Sequence, residues 1–296
     1  STAVRDALDL CLSCKGCKSD CPVNVDVAAY KAEFLQHHYA GRIRPISHYS
    51  LGWLPAWLRM TRLVPGLAGY LARTPGSARV LKRVAGMPAQ RALPGLPAES
   101  LVRWYHRRPS RPAPGETPIL LWPDTFTNYL APGLGQAAVA VLEPAGFSVR
   151  LPDRAVCCGL TWMSTGQLGM ARRVMRRAVD TLAPAVAAGL PVVVLEPSCA
   201  AALRDDLPSV LGGDARAAAV AAGIRTFAEL LDEQATGWAP PAVDAAAVVQ
   251  THCHQHSVLG FDADRRLLAR AGIDATVLDA GCCGLAGNFG FERAHY

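Results

Sequence analysis

The chain has 296 residues, of which 51% are apolar and 18% charged. That excludes a disordered segment, which needs low hydrophobicity and high net charge, and it suffices for one large or two ordinary domains. The net charge of +6 is uneven: residues 1–116 carry 17 Lys and Arg against 7 Asp and Glu, and residues 117–296 carry 13 against 17. Such asymmetry marks segments with different surroundings. No apolar run reaches the ~18 residues of a spanning helix. Residues 1–10 lack the basic-then-apolar pattern of a signal peptide.

In chain order, residues 1–45 read as a cysteine-rich loop followed by a helix. Asp26 is the expected N-cap, Val27 to Ala40 the body and Gly41 the C-cap. Residues 46–116 are rich in Arg, Pro, Gly and Trp, with short amphipathic stretches at Leu54 to Leu63 and Ala78 to Val84. They read as a basic helical connector. From 117 the pattern changes to short apolar runs (Pro118 to Trp122, Phe147 to Leu151, Val192 to Leu195) alternating with helical stretches at Leu134 to Leu142 and Gln167 to Ala187. This alternation predicts βαβ units and a mostly parallel sheet. The order then repeats, with strands at Ala247 to Gln250 and Ala275 to Leu278 around a helix at Phe261 to Ala271.

Two landmarks align in this repeat. Phe147 to Leu151 leads to Cys157-Cys158-Gly159-Leu160, and Ile273 to Leu278 leads to Cys282-Cys283-Gly284-Leu285. Asp124 follows the first strand of one unit and Cys253 the first strand of the other. We read an internal duplication whose second copy stops before it is complete. The expected fold class is α+β overall: a small helical segment (1–45), the connector (46–116), a first α/β unit (117–240) and a truncated second unit (241–296).

The cysteines carry the chemistry. Cys11-x2-Cys14-x2-Cys17-x3-Cys21-Pro22 has the bacterial ferredoxin spacing, in which one loop offers four thiolates to a 4Fe–4S cluster. A structural zinc knot is the competing reading. Lys15 and Lys18 lie among the ligands and are placed to offset the cluster's negative charge, if they are not simply solvated. In two-cluster proteins the fourth cysteine, here Cys21, serves the other cluster. Either all four hold one cluster, or a partner motif lies upstream of Ser1.

Adjacent side chains diverge, so Cys157-Cys158 and Cys282-Cys283 suit a site where two thiolates meet different metal atoms of one cluster. The following glycine allows close approach or positive φ. Cys199, in Glu196-Pro-Ser-Cys, and Cys253 sit just after strands, at the carboxyl edge where α/β sheets bind ligands. His252, Cys253, His254 and His256 offer a zinc alternative, with His256 expected at the surface. Asp124 is the remaining candidate ligand.

At these residues the chain resembles a known family. The Cys11 to Pro22 run with duplicated Cys-Cys-Gly units is similar to the iron–sulfur portions of three enzymes: glycolate oxidase, anaerobic glycerol-3-phosphate dehydrogenase and heterodisulfide reductase. Leu10 to Asp26, Leu195-Glu-Pro-Ser-Cys, His252-Cys-His-Gln and Cys282 to Gly290 together resemble bacterial FAD-linked 2-hydroxy-acid dehydrogenases. The resemblance implies a helical ferredoxin fold for the first segment. It places the FAD domain, a first ferredoxin motif and the end of the second unit outside this chain. The chain also departs from the family's pattern twice. A cysteine stands in the family where this chain has Asp124, and the second unit lacks a match to Cys199 before Tyr296. A cluster with an Asp ligand and an empty first unit are the alternatives there.

The implied function is electron transfer from FAD, reduced by D-lactate, D-2-hydroxyglutarate or glycolate, to a quinone or other acceptor. The implied place is cytoplasmic, free or peripheral at the inner face of the membrane. The alternatives are a thiol–disulfide redox enzyme like heterodisulfide reductase and a structural metal-binding docking subunit. Arginines in 42–111 are interleaved with Pro, Leu and Trp rather than set on one face. That argues against nucleic acid and for docking to the FAD domain or an acidic partner.

Overall fold

The computed structural model describes residues 2–109, 115–279 and 289–292. It is α+β, and the chain forms two compact units. Of the described residues, one comprises 2–98, 159–174 and 289–292, and the other 99–109, 115–158 and 175–279.

The first unit is helical. The helix Val27–His38 is N-capped by Asp26, whose carboxylate accepts from the Ala29 amide. It ends at His38, and Gly41 takes its positive φ of 70° in the turn beyond. The helices Ile46–Ser50, Leu54–Thr61, Pro65–Arg73 and Pro75–Ala85 follow, three of them started by a proline at the first or second position. Residues 160–170 return to this unit and are fastened by polar contacts. Arg44 donates to the carbonyls of Thr165 and Gly166 at 2.7 and 2.8 Å. Gln167 accepts from the Trp53 indole at 2.7 Å and donates to the His48 carbonyl at 2.8 Å. Trp53 and Trp162 meet edge to face at 5.9 Å.

His48 is buried in this unit, with its Nδ1 unpaired. Desolvation, then the charges of Arg44 and Lys31, lowers its pKa to about 4. The unfolded chain binds a proton near pH 6.5 and the folded chain does not, so stability should fall as pH drops from about 6.5 to about 4. The loss should approach about 3 kcal/mol at the lower end. Denaturant midpoints of the wild type and His48→Leu across this window test it. Parallel pH profiles for the two proteins would refute it.

The second unit is built on a four-stranded parallel sheet in the order β2-β1-β3-β4. The strands are β1 (Thr117–Trp122), β2 (Phe147–Arg150), β3 (Val192–Val194) and β4 (Ile224–Thr226). β1 pairs Thr117 with Phe147 on one side and Leu120 with Val192 on the other. Ile119, Leu121, Phe147, Val149 and Val193 share a core with Leu101, Val139, Leu142, Leu230 and Leu231. The alternate residues Leu120 and Trp122 are buried too, so helices cover both faces, as parallel sheets require. In the long helix Leu168–Ala187, Val174 and Ala178 are buried while Arg172, Arg173, Arg176 and Arg177 are exposed.

Two features differ from what the sequence predicts. The first concerns the helix Leu101–Arg107, expected in the connector. It packs Leu101, with Val102, Trp104 and Tyr105 beside it, into the sheet's core. The second is β4, which no apolar run announces: it has three residues with Arg225 in the middle. β4 is held tertiarily. Arg204 donates to the Ile224 carbonyl at 2.8 Å and forks onto the Glu229 carboxylate, and Glu229 completes a capping box with Thr226. Arg204→Ala should therefore cost about 2–3 kcal/mol, because a partly buried carboxylate and a carbonyl lose a charged donor. Urea denaturation checks this, and a shift under about 0.5 kcal/mol would show the fork to be idle.

A second, parallel pair comprises β5 (Ala245–Val249) and β6 (Ile273–Val277), joined through the helix Asp262–Arg270. The strand–helix–strand order of β1 and β2 thus recurs.

Candidate metal centre

The loop from Cys11 to Cys21 turns sharply. Ser13 and Lys15 adopt φ of 56° and 63°, in the left-handed region that non-glycine residues seldom enter. The short helix Gly16–Asp20 then carries Cys17, and the Cys21 amide closes onto the Cys17 carbonyl at 3.1 Å. All four cysteines are free thiols. Backbone amides of Val25, Val23 and Asn24 face the Cys21 sulfur and lower its pKa, favouring thiolate. Lysines surround the loop. Lys31 donates to the Cys11 carbonyl at 2.6 Å, while Lys15 and Lys18 lie 3.7 and 4.0 Å from the Asp26 carboxylate. Four free thiols on one short loop, with amides favouring thiolate at Cys21 and cations close by, suit a thiolate-ligated metal centre.

The second constellation stands at the carboxyl ends of β1, β2 and β3. After β1, Asp124 N-caps the helix Thr125–Tyr129, its Oδ1 accepting from the amides of Phe126 and Thr127 at 2.9 Å. Its Oδ2 is buried without a partner. After β2 come Cys157, half-buried, and Cys158, buried. Gly159, with φ of 91°, then starts the helix Leu160–Ser164. After β3, Glu196 caps the helix Pro197–Ala201 by accepting from the Cys199 amide at 2.6 Å. Cys158 Sγ lies 3.2 Å from Cys199 Sγ. One cysteine of the adjacent pair thus meets Cys199.

The electrostatics of this edge are acidic. Desolvation pushes Asp124 up to about 6, with Glu196 adding to it against the hydrogen bonds from Thr127 and Phe126. The Cys158 hydrogen bond pulls the Cys199 thiol down, but desolvation and the neighbours Glu196, Asp124 and Cys157 push it well above its usual value. A buried carboxylate with one oxygen orphaned, gathered with buried thiols and a second acid, fits a bound cation.

Cys253 follows β5. His252 Nδ1 accepts from the His254 amide at 3.1 Å, leaving its Nε2 to donate to the Ser198 hydroxyl at 3.4 Å, one residue from Cys199. His254 is buried and His256 exposed. Cys282 and Cys283 lie outside the described residues. Ligand spacing assigns no role to Glu196 or Ser198, and the fold gives them one each. A glutamate N-cap followed by proline is the local signal for Glu196. Lys31 has none, because it reaches Cys11 across 20 residues.

A cysteine-rich (CCG) domain, the class defined by this edge of thiols, matches residues 125–204. The chain is 30% identical over 186 residues to lactate utilization protein A of Bacillus velezensis, covering 60% of this chain and 76% of that protein. It belongs to that family of cysteine-rich CCG proteins. It is also 31% identical over 218 residues to the C subunit of anaerobic glycerol-3-phosphate dehydrogenase from Escherichia coli, covering 70% of this chain and 53% of that relative. With D-2-hydroxyglutarate dehydrogenase of Pantoea ananatis the identity is 24% over 307 residues, 99% of this chain but 29% of that enzyme. The chain thus spans about half the length of the glycerol-3-phosphate dehydrogenase relative and under a third of the hydroxyglutarate enzyme. No solved structure matches it.

Proposed function

We propose that this chain is the iron–sulfur electron-transfer portion of a flavin-dependent dehydrogenase acting on 2-hydroxy acids of the D-lactate, D-2-hydroxyglutarate or glycolate class. The observation that carries this reading is the pairing, in one chain, of a ferredoxin-spaced loop of four free thiols with a buried Cys158–Cys199 contact at a sheet's carboxyl edge. Cys11, Cys14, Cys17 and Cys21 would hold a 4Fe–4S cluster. Cys157, Cys158 and Cys199, with the Asp124 Oδ2, would hold a second centre, and Cys253 with Cys282 and Cys283 a further one. Bound clusters supply one-electron redox steps between an FAD outside this chain and an acceptor such as a quinone. The protein's own part is to fix positions and tune charge. Lys15, Lys18 and Lys31 offset negative charge at the loop, and the amides facing Cys21 favour its thiolate form. The hydroxy-acid class is drawn from the relatives named as lactate and hydroxyglutarate proteins.

The test is anaerobic purification of the full-length protein, followed by iron, acid-labile sulfide and EPR analysis, then addition of D-lactate, D-2-hydroxyglutarate or glycolate with the flavoprotein present. Reduced-cluster EPR signals on adding one of these acids are expected. Zinc without acid-labile sulfide would sink the reading. The 3.2 Å Cys158–Cys199 contact favours one alternative, a dithiol–disulfide redox pair. Two reactive thiols per chain with no iron at that edge would select it.

A further inference from the structure

The stretch from Phe34 to Ala98 contains nine Lys and Arg and no Asp or Glu. In the first unit this acid-free stretch folds into the helices Leu54–Thr61, Pro65–Arg73 and Pro75–Ala85, the second packed on the third. Leu58 is buried, but most of the other large apolar side chains on these helices are exposed. Among the described residues, twelve of the twenty-one exposed large apolar side chains fall between Ile43 and Val84. Trp57, Leu63, Tyr70 and Val84 are 48%, 82%, 65% and 68% exposed. They recur at helical spacing, Trp57 with Met60, Leu67 with Tyr70, and Val80 with Val84, and exposed Arg59, Arg73, Arg79 and Arg83 are interspersed. A water-facing helix would reverse this pattern.

We propose that this helical stretch is a membrane-docking surface that lies on bilayers rich in anionic lipid, without crossing them. Three properties point to that occupant. Apolar and aromatic side chains beside arginines match an interfacial helix, whose apolar face enters the headgroup boundary while its cations meet lipid phosphates. Trp and Tyr belong at that boundary, where one end of the ring is dry and the other wet. The exclusion of every carboxylate over 65 residues suits a uniformly negative surface. A protein interface has no such need, since its rim accommodates both signs. No helix among the described residues is long and apolar enough to span a membrane, so the surface lies in the interface plane.

The experiment is co-sedimentation of the full-length protein with phosphatidylcholine vesicles and with vesicles containing 30% phosphatidylglycerol. Binding to the anionic vesicles alone is expected, lost between 0.1 and 0.5 M NaCl as screening shortens to a few ångströms. The triple variant Arg73→Glu, Arg79→Glu, Arg83→Glu should weaken binding by at least ~100-fold, since each cation lost at an anionic surface is worth a factor of about five. Leu63→Ser with Leu67→Ser and Tyr70→Ser should also weaken it, by at least ~10-fold. These exposed positions leave the fold intact, which thermal melting verifies. Equal binding to both vesicle types, or binding unaffected by either variant, would overturn the proposal. So would failure to bind either vesicle while the arginine variant loses its flavoprotein partner, which would assign the face to a protein instead.

Discussion

Cys14→Ser should abolish the cluster signature of the N-terminal loop. Iron in the full-length protein should fall by one 4Fe–4S equivalent, and the corresponding EPR signal should vanish. A serine hydroxyl does not ionise at neutral pH, whereas the thiolate is the ligand. The loop's backbone is also strained. Ser13 and Lys15 sit at positive φ, which costs non-glycine residues about 1–2 kcal/mol each, and Cys17 is exposed. Ligand binding is here folding energy, so the variant should also melt at lower temperature. Cys199→Ser provides the contrast. It should remove iron from the sheet edge while leaving the loop's signal in place. Unchanged iron and EPR in Cys14→Ser would contradict the loop assignment outright.

Gly166→Ala should destabilise the first unit by about 2–4 kcal/mol. Gly166 has φ of 65°, and an added Cβ would lie 2.3 Å from the Leu35 Cβ and 2.9 Å from the Gln36 amide nitrogen. Those atoms belong to a helix body rather than to a flexible side-chain tip, so the clash cannot be relieved locally. Overpacking of this kind costs about 1–3 kcal/mol, and positive φ with a Cβ adds about 1. The Arg44 fork onto the Thr165 and Gly166 carbonyls, 2.7 and 2.8 Å long, would be displaced with them. Gly169→Ala is the control, since its Cβ would meet nothing within 4 Å. Chemical denaturation separates the two, and equal midpoints would refute the packing argument.

Much of the molecule is legible in one dimension. The cysteine loop, the Asp26 cap, strands β1 to β3 and the buried stripe of Leu168–Ala187 all follow from local spacing, because hydrophobic period, cap chemistry and ligand interval are properties of consecutive residues. The resemblance to iron–sulfur dehydrogenase portions also rests on such local runs. What spacing cannot encode is which distant residues meet. β4 exists because Arg204 and Glu229 hold it, not because Ile224-Arg225-Thr226 reads as a strand. Composition assigns the helix Leu101–Arg107 to the basic connector, yet Leu101 is fully buried in the sheet's core. Of the adjacent pair Cys157-Cys158, only the fold sets Cys158 against Cys199, 41 residues on, and leaves an oxygen of Asp124 buried without a partner. The amino-acid sequence by itself determined the candidate thiol and carboxylate groups and the local elements that carry them. The tertiary structure alone decided the pairings, since long-range contacts arise from burying many weakly specified surfaces together and not from any one residue's neighbours in the chain.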